Sequence, residues 1–265
     1  MKRVLITGTQ GYIGASFRAY LGQFPETYEA ECVSLRGENW KERDFSPYDS
    51  IVHAAGLAHI RETAQNAPLY DEINRDLTIA VAQKAKREGV GQFVFLSSMS
   101  VYGVEEGEIT PDTPPHPKSR YGKSKLEAER VLQAMESEAF AVAILRPPMV
   151  YGAGCKGNYR ALVKLAEVLP VCPKYENRRS MISIERLCAD LKETVDRRAR
   201  GVFCPQDPAY VCTCDMICAI AAKKGRHLRQ TRLLNFAPAL LKHCTRQGKK
   251  AFGDLTYQRN ITDEI

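Results

Sequence analysis

Nowhere in the 265 residues do eighteen apolar side chains follow one another, which excludes a membrane-spanning helix. The chain starts Met1-Lys2-Arg3 and runs straight into Val4-Leu5-Ile6 without a small-residue cleavage pattern, so a soluble, non-secreted protein is expected. Internal repeats and low-complexity tracts are missing. With 44% hydrophobic and 26% charged residues, the composition does not suit a disordered chain. Zinc-ligand spacing is also missing: Cys212, Cys214 and Cys218 match no familiar pattern, and no histidine is placed to complete a set, so no metal is expected. The nine cysteines are odd in number and lie in a chain too long to need cross-links. A reducing, cytoplasmic setting is therefore expected. Tryptophan occurs once, at Trp40, and is expected to pack.

Cations are plentiful. Thirty-eight Lys and Arg against thirty-one Asp and Glu leave +7, a balance that suits nucleic acid, an anionic membrane or a phosphate-bearing small molecule. Between Lys223 and Gly253 there are nine Lys or Arg and no acid, interleaved with Leu233, Leu234, Phe236, Leu240 and Leu241. The plain reading is a solvated helical face. The sharper one is peripheral contact of 223–253 with an anionic membrane or an acidic partner. Nucleic acid is not expected, because no aromatic platform or nucleic-acid motif accompanies the charge.

Short β-branched runs alternate with longer amphipathic stretches through the first two thirds of the chain, which predicts an α/β fold around a parallel sheet. The expected strands are Arg3–Thr7, Ala30–Leu35, Ser50–Ala54, Gln92–Ser97 and Ala141–Arg146. The clearest helices are Tyr12–Gly22, Asn74–Glu88 and Gly122–Ser137. Four prolines and no periodicity mark Glu105–Ser119 as a surface loop. Beyond Gly152 the pattern changes to helices (Asn158–Leu169, Ile184–Arg200, Cys214–Lys223) with short extended pieces. This organisation predicts a doubly wound core over residues 1–152, to which parts of 180–205 return, and a smaller, mainly helical lobe over 153–265.

The first strand is followed at once by Thr7-Gly8-Thr9-Gln10-Gly11-Tyr12-Ile13-Gly14, opening a helix. Gly8 permits the tight turn, Gly11 lets backbone approach a pyrophosphate, and Gly14 allows close helix packing, while the N–H groups of Tyr12, Ile13 and Gly14 lie at a helix N-terminus. A dinucleotide site is expected. NAD sites place an acid at the end of the second strand, but here the chain reads Val33-Ser34-Leu35-Arg36. Ser34 and Arg36 suit the 2′-phosphate of NADP(H), which is favoured. The competing reading has Arg36 stacking on adenine, which leaves NAD(H) open. Asp44-Phe45 is a candidate adenine contact.

Tyr121 and Lys125 are four apart, one helical turn, so an ammonium is expected beside a phenol whose pKa it lowers toward proton exchange with a carbinol or ketone oxygen. Such a pair also occurs by chance. Ser97-Ser98-Met99-Ser100-Val101-Tyr102-Gly103 follows a strand, at the sheet edge where ligands bind, and offers Ser98 as a donor to the same oxygen. The ordinary alternative is a serine-rich turn. His53 ends a strand and is expected to order the following loop, while His59 and Arg61 are weaker candidates for a sugar pocket.

Together these residues resemble the extended short-chain dehydrogenases/reductases, in their nucleotide-sugar epimerase/dehydratase branch. The resemblance rests on Thr7–Gly14, His53-Ala54-Ala55-Gly56, Ser98–Gly103, Tyr121 with Lys125, and Leu145-Arg146-Pro147-Pro148-Met149-Val150-Tyr151-Gly152, and covers nearly the whole chain. It implies a Rossmann-type doubly wound parallel sheet with a smaller C-terminal substrate-binding lobe. Ser98, Tyr121 and Lys125 would be the catalytic set. Ala54, Ala55, Gly56 and Pro148 would line the cofactor, and Asn74 would lie near the nicotinamide ribose. Ser98, Ser100, Asn158 and Arg179 would contact a nucleotide-sugar substrate, and helices 74–88 and 122–137 would form a homodimer.

Within the branch, Pro147-Pro148-Met149, Gly154–Tyr159 and Gly201–Gln206 are most similar to short reductase-like enzymes of bacterial capsular polysaccharide synthesis. Two departures matter. Met99-Ser100 stands where dehydratases of the branch carry an Asp-Glu pair, so dehydration is not expected. Met149 replaces the asparagine of many epimerases. The expected activity is reduction at C4 of a UDP-4-keto-6-deoxy-N-acetylhexosamine with NADPH. The alternatives are a UDP-sugar 4-epimerase with retained NAD and, more distantly, a non-catalytic dinucleotide-binding regulator.

Overall fold

A computed structural model describes residues 1–58, 60, 62–155 and 157–261. Six strands form the central sheet, the inner ones built on apolar runs buried on both faces and the two edge strands only partly buried. They are β1 (Lys2–Thr7), β2 (Tyr28–Val33), β3 (Ser50–His53), β4 (Gln92–Leu96), β5 (Ala141–Leu145) and β6 (Gly201–Phe203). All pair in parallel in the order β6-β5-β4-β3-β1-β2. The expected Rossmann-type α/β fold is therefore the one observed.

Alternate strand residues feed two separate cores. On one face Val4, Ile6, Val52, Val94 and Leu145 meet Phe17 and Leu21 of α1 (Tyr12–Leu21). Leu187, Leu191 and Val195 of a helix over Ile184–Asp196 complete this layer. On the other face Leu5, Ile51, Phe93, Phe95 and Ile144 meet α2 (Leu77–Arg87) and α3 (Arg120–Met135) through Val81, Ala85, Ala128 and Leu132. Each large side chain buried in these layers contributes roughly 1.5–3 kcal/mol. Trp40 packs in the second core at 4% exposure.

From β1 the chain passes through α1 to β2 on one side, then returns to β3 on the other side of β1. A crevice opens where the order reverses, beyond Thr7 and His53 at the carboxyl ends. The second strand begins and ends two residues earlier than the apolar pattern suggested, because Lys2 pairs with Tyr28 and Thr7 with Val33. Ser34 and Arg36 thus lie just beyond the strand.

Residues from 153–180 and 205–253 gather around a separate hydrophobic cluster, here called the second lobe. A helix over Asn158–Val168 packs on one over Thr213–Lys223, beside the parallel pair Val171–Pro173 and Arg229–Thr231. Leu162, Cys172, Cys214, Ile217, Ile220 and Phe252 fill its interior. The proline-rich loop is partly ordered into Gly107–Ile109, which pairs with Leu255–Tyr257. Three-residue strands leave no periodicity in a sequence, so this clasp was invisible there.

Candidate active site

The turn after β1 occupies the mouth of the crevice. Gly8 has φ +88°, and a Cβ there would come within 3.0 Å of the Ala55 backbone, so the turn and the β3 loop approach as only glycine permits. Helix α1 follows with no side-chain cap and no acid in its first turn, leaving its leading N–H groups and positive dipole end for an anion. A dinucleotide's diphosphate fits this cradle. Ile13 is half-buried and Gly14 buried. The Tyr12 hydroxyl is buried with no hydrogen-bond partner among the described residues, and burial pushes its pKa up to about 12. Beyond β2, Ser34 and Arg36 are exposed, and the Ser34 hydroxyl accepts from the Arg36 backbone N–H (3.3 Å). No acid occurs between Val33 and Gly37, and Arg36 has no ion-pair partner among the described residues.

Asp44 and Phe45 are placed elsewhere, which corrects the sequence expectation. They precede β3 and so lie at the amino end of the sheet. The Phe45 N–H donates to Glu88 (2.8 Å), and Lys84 sits over its ring, both at the far end of α2 from the crevice. Phe45 is fully buried, and Asp44 accepts from the Ser46 N–H (2.9 Å).

A buried relay supports the opposite wall. Thr78 Oγ1 donates to the Asn74 carbonyl (2.9 Å), so it must accept from His53 Nε2 (3.0 Å). His53 Nδ1 then accepts from Thr7 Oγ1 (3.1 Å), which in turn accepts from the Ala55 N–H (3.3 Å). These commitments fix a neutral, Nε2-protonated ring. The ring links the Ala54–Gly56 loop to Asn74. Burial drives the His53 pKa down to about 3, with Lys125 adding to the effect. The unfolded state takes up this proton near pH 6.5 and the folded state only near 3, so stability falls as pH drops from 6.5 toward 3 and is fully retained above. Unfolding free energies from denaturant titrations at pH 7 and 4.5 are expected to differ by about 2–3 kcal/mol more in the wild type than in His53→Gln. Equal differences would contradict the relay.

Asn74 sits in a π-helical turn (Glu72–Asp76) leading into α2, a local distortion the sequence does not announce. It is fully buried. Its Oδ1 accepts from the Leu57 N–H (2.7 Å), and its Nδ2 donates to Leu57 O (3.1 Å) and Ser124 Oγ (3.3 Å). A Cβ at Gly56 would lie 3.0 Å from Asn74 Oδ1 and 3.2 Å from Lys125 Nζ, so these three residues converge.

Ser98 and Tyr121 meet across the crevice. Ser98 closes β4 and caps a single turn over Met99–Tyr102, accepting from the Ser100 N–H (3.1 Å) and donating to Ser100 Oγ (3.2 Å). Gly122 lets that turn approach α3: a Cβ there would come within 2.6 Å of the Ser100 carbonyl. Tyr121 is half-buried in the first turn of α3, which Ser119 caps. Burial raises the phenol's pKa, and the Ser98 hydroxyl beside it offsets part of the rise. Lys125 lies one turn further along α3 and is buried. Its ammonium donates to the Leu96 carbonyl (2.9 Å) and lies 4.5 Å from the Phe95 ring centroid. Burial lowers its pKa to about 8, against the pull of Glu129. It faces Gly56 and Asn74.

A buried ion pair, not anticipated from the sequence, stands behind Ser98. Arg146 binds Glu129 through Nε (3.1 and 3.2 Å) and Nη2 (2.5 Å), donates to Tyr102 Oη (2.9 Å), and shares Glu129 with the Ser97 hydroxyl. Pro148 is buried two residues on. In the second lobe, Arg179 is buried, pairs its backbone with Val211, and donates from Nη1 to Gly253 O (2.8 Å). Asn158 opens a helix, and its side chain, like His59, Arg61 and Lys156, lies outside the described residues. Ala54 is half-buried against the first core, and Ser100 is exposed.

Comparison with known proteins agrees with this architecture. A UDP-glucose 4-epimerase of Vibrio cholerae is 35% identical over 185 residues, covering 64% of this chain and 56% of the relative. A GDP-6-deoxy-D-mannose reductase of Pseudomonas aeruginosa is 29% identical over 172 residues, covering 60% and 55%. The matched region thus spans about half the length of these relatives. The solved structure of RMD from Pseudomonas aeruginosa complexed with NADPH superimposes with a TM-score of 0.71 at 20% identity, over 87% of this chain and 84% of that one. Residues 4–169 match the NAD dependent epimerase/dehydratase family, and the chain belongs to that family.

Proposed function

We propose that the protein is an NAD(P)-dependent oxidoreductase acting at C4 of a nucleotide-linked sugar, reducing a UDP-4-keto-6-deoxy-N-acetylhexosamine with NADPH in bacterial surface-polysaccharide synthesis. The observation that carries the reading is a phenol with a raised pKa, beside a serine hydroxyl, at the mouth of a dinucleotide crevice. Such a phenol keeps its proton at neutral pH and suits donation to a ketone oxygen as it gains charge. When bound, the dinucleotide supplies hydride exchange at C4. Ser98 orients the substrate oxygen and Tyr121 gives it a proton. Lys125 and Asn74 hold the ribose side of the crevice, and the head of α1 holds the diphosphate. Arg179 and Asn158 contribute to the sugar donor's diphosphate. Met99-Ser100 supplies no acid–base pair for dehydration.

The preference for NADPH rests on Ser34 and Arg36 beyond β2. Arg36→Ala is expected to raise the KM for NADPH by about 10–100-fold and leave that for NADH nearly unchanged, since a charge-assisted contact to phosphate contributes roughly 1.5–3 kcal/mol. Initial rates of reduced-nicotinamide loss with this substrate class test both claims. Equal effects on the two cofactors would remove Arg36 from the phosphate site. The similarity to a UDP-glucose 4-epimerase supports a second reading, epimerisation at C4 with retained NAD. Interconversion of UDP-glucose and UDP-galactose at constant nicotinamide absorbance, without NADPH consumption, would establish it in place of reduction.

A further inference from the structure

The basic segment divides in two once its side chains are located. Lys242 and Lys249 turn toward Glu106, Lys224 pairs with Glu167, and Arg226 donates to carbonyls at the end of the helix over Asn158–Val168. These cations tie the lobe together and are not free for a partner. Arg229 and Arg232 are exposed and have no ion-pair partner among the described residues.

Beside Arg232 the chain makes a short turn and then a helix over Phe236–Cys244. Leu233, Phe236 and Leu240 are 86%, 66% and 60% exposed, and Leu241 adds 44%. Phe236 and Leu240 are one helical turn apart, so they form a single stripe that Leu233 extends. Pro238 is the helix's one buried residue. Nothing in the described chain covers this stripe; Glu106 pairs with Lys242 near the helix's end, and Arg232 at the stripe's beginning has no such partner among the described residues.

We infer that the Arg232–Leu241 face docks on an anionic lipid bilayer, with Leu233, Phe236 and Leu240 inserted at headgroup depth and Arg232 on lipid phosphates. Exposed Leu and Phe flanked by unpaired cations match an interfacial lipid surface in both polarity and charge. A second copy docked by the same face would oppose arginine to arginine across a two-fold axis, with no acid in the segment to separate them. No described helix is long and apolar enough to cross a membrane, so the contact is peripheral. This surface stands independently of the reaction proposed above.

The test is co-sedimentation of the purified full chain with phosphatidylcholine vesicles, with and without phosphatidylglycerol. The wild type is expected to bind only the anionic vesicles. Leu233→Ser/Phe236→Ser/Leu240→Ser should weaken binding by about tenfold or more, and Arg232→Ala by about fivefold. Both variants alter exposed side chains, so their unfolding midpoints should match the wild type and exclude misfolding. Absence of wild-type binding to anionic vesicles, or undiminished binding by the triple variant, would overturn the inference. So would a wild-type dimer that the triple variant converts to monomer, which would assign the stripe to a second copy.

Discussion

Tyr121→Phe is expected to lower turnover by about 10²–10⁴-fold, the usual contribution of a positioned proton donor, while dinucleotide affinity stays nearly unchanged. The ring keeps its place at the start of α3, where Ser119 caps the helix and Gly122 allows contact with the Met99–Tyr102 turn. Only the hydroxyl is lost. The cradle for the diphosphate lies on α1 and the β3 loop, which the phenol does not hold together. Isothermal binding of NADPH alongside single-turnover kinetics separates the two effects. Turnover within about tenfold of wild type would mean that another group, or water, supplies the proton. Lost cofactor affinity with unchanged turnover would make Tyr121 a binding residue.

Much of this arrangement was legible in the sequence, for identifiable reasons. Val4-Leu5-Ile6 and Phe93-Val94-Phe95 are apolar without alternation because both faces of the sheet are covered. The glycine turn was legible because a strand and a helix flank it. The misplacement of Asp44-Phe45 arose because order along the chain does not say at which edge of the sheet a connecting loop ends. Lys125 has the helical spacing expected for a place beside Tyr121, and its hydrogen bond to the Leu96 carbonyl and its approach to the Phe95 ring are not encoded in that spacing. The His53 relay joins Thr7, Thr78 and Ala55, and only the finished fold brings these together. The same holds for Glu106, which pairs with Lys242 from the proline-rich loop.

Glu129→Gln should destabilise the fold by about 3–5 kcal/mol, the effect of removing one member of a buried ion pair and leaving the other uncompensated. Glu129 is fully buried and Arg146 is 8% exposed. Burial works against the charged guanidinium, and the Glu129 carboxylate overrides it, holding the arginine's pKa above its ordinary value. Without the carboxylate that burial is unopposed. The substituted amide keeps one neutral acceptor, and Tyr102 Oη is the guanidinium's other side-chain partner. Arg146→Met should be milder when combined with Glu129→Gln than either single change predicts, because the two desolvation penalties disappear together. Urea unfolding of both single variants and the double variant measures the coupling. Additive effects, or a Glu129→Gln loss below about 1 kcal/mol, would show that the pair is not buried and mutually dependent. The pair also backs the catalytic turn: Glu129 takes the Ser97 hydroxyl, one residue before Ser98, and Arg146 holds Tyr102 at the turn's far end. Loss of the pair should therefore lower turnover in the fraction that remains folded, by loosening the strand end that aims Ser98 at the substrate oxygen.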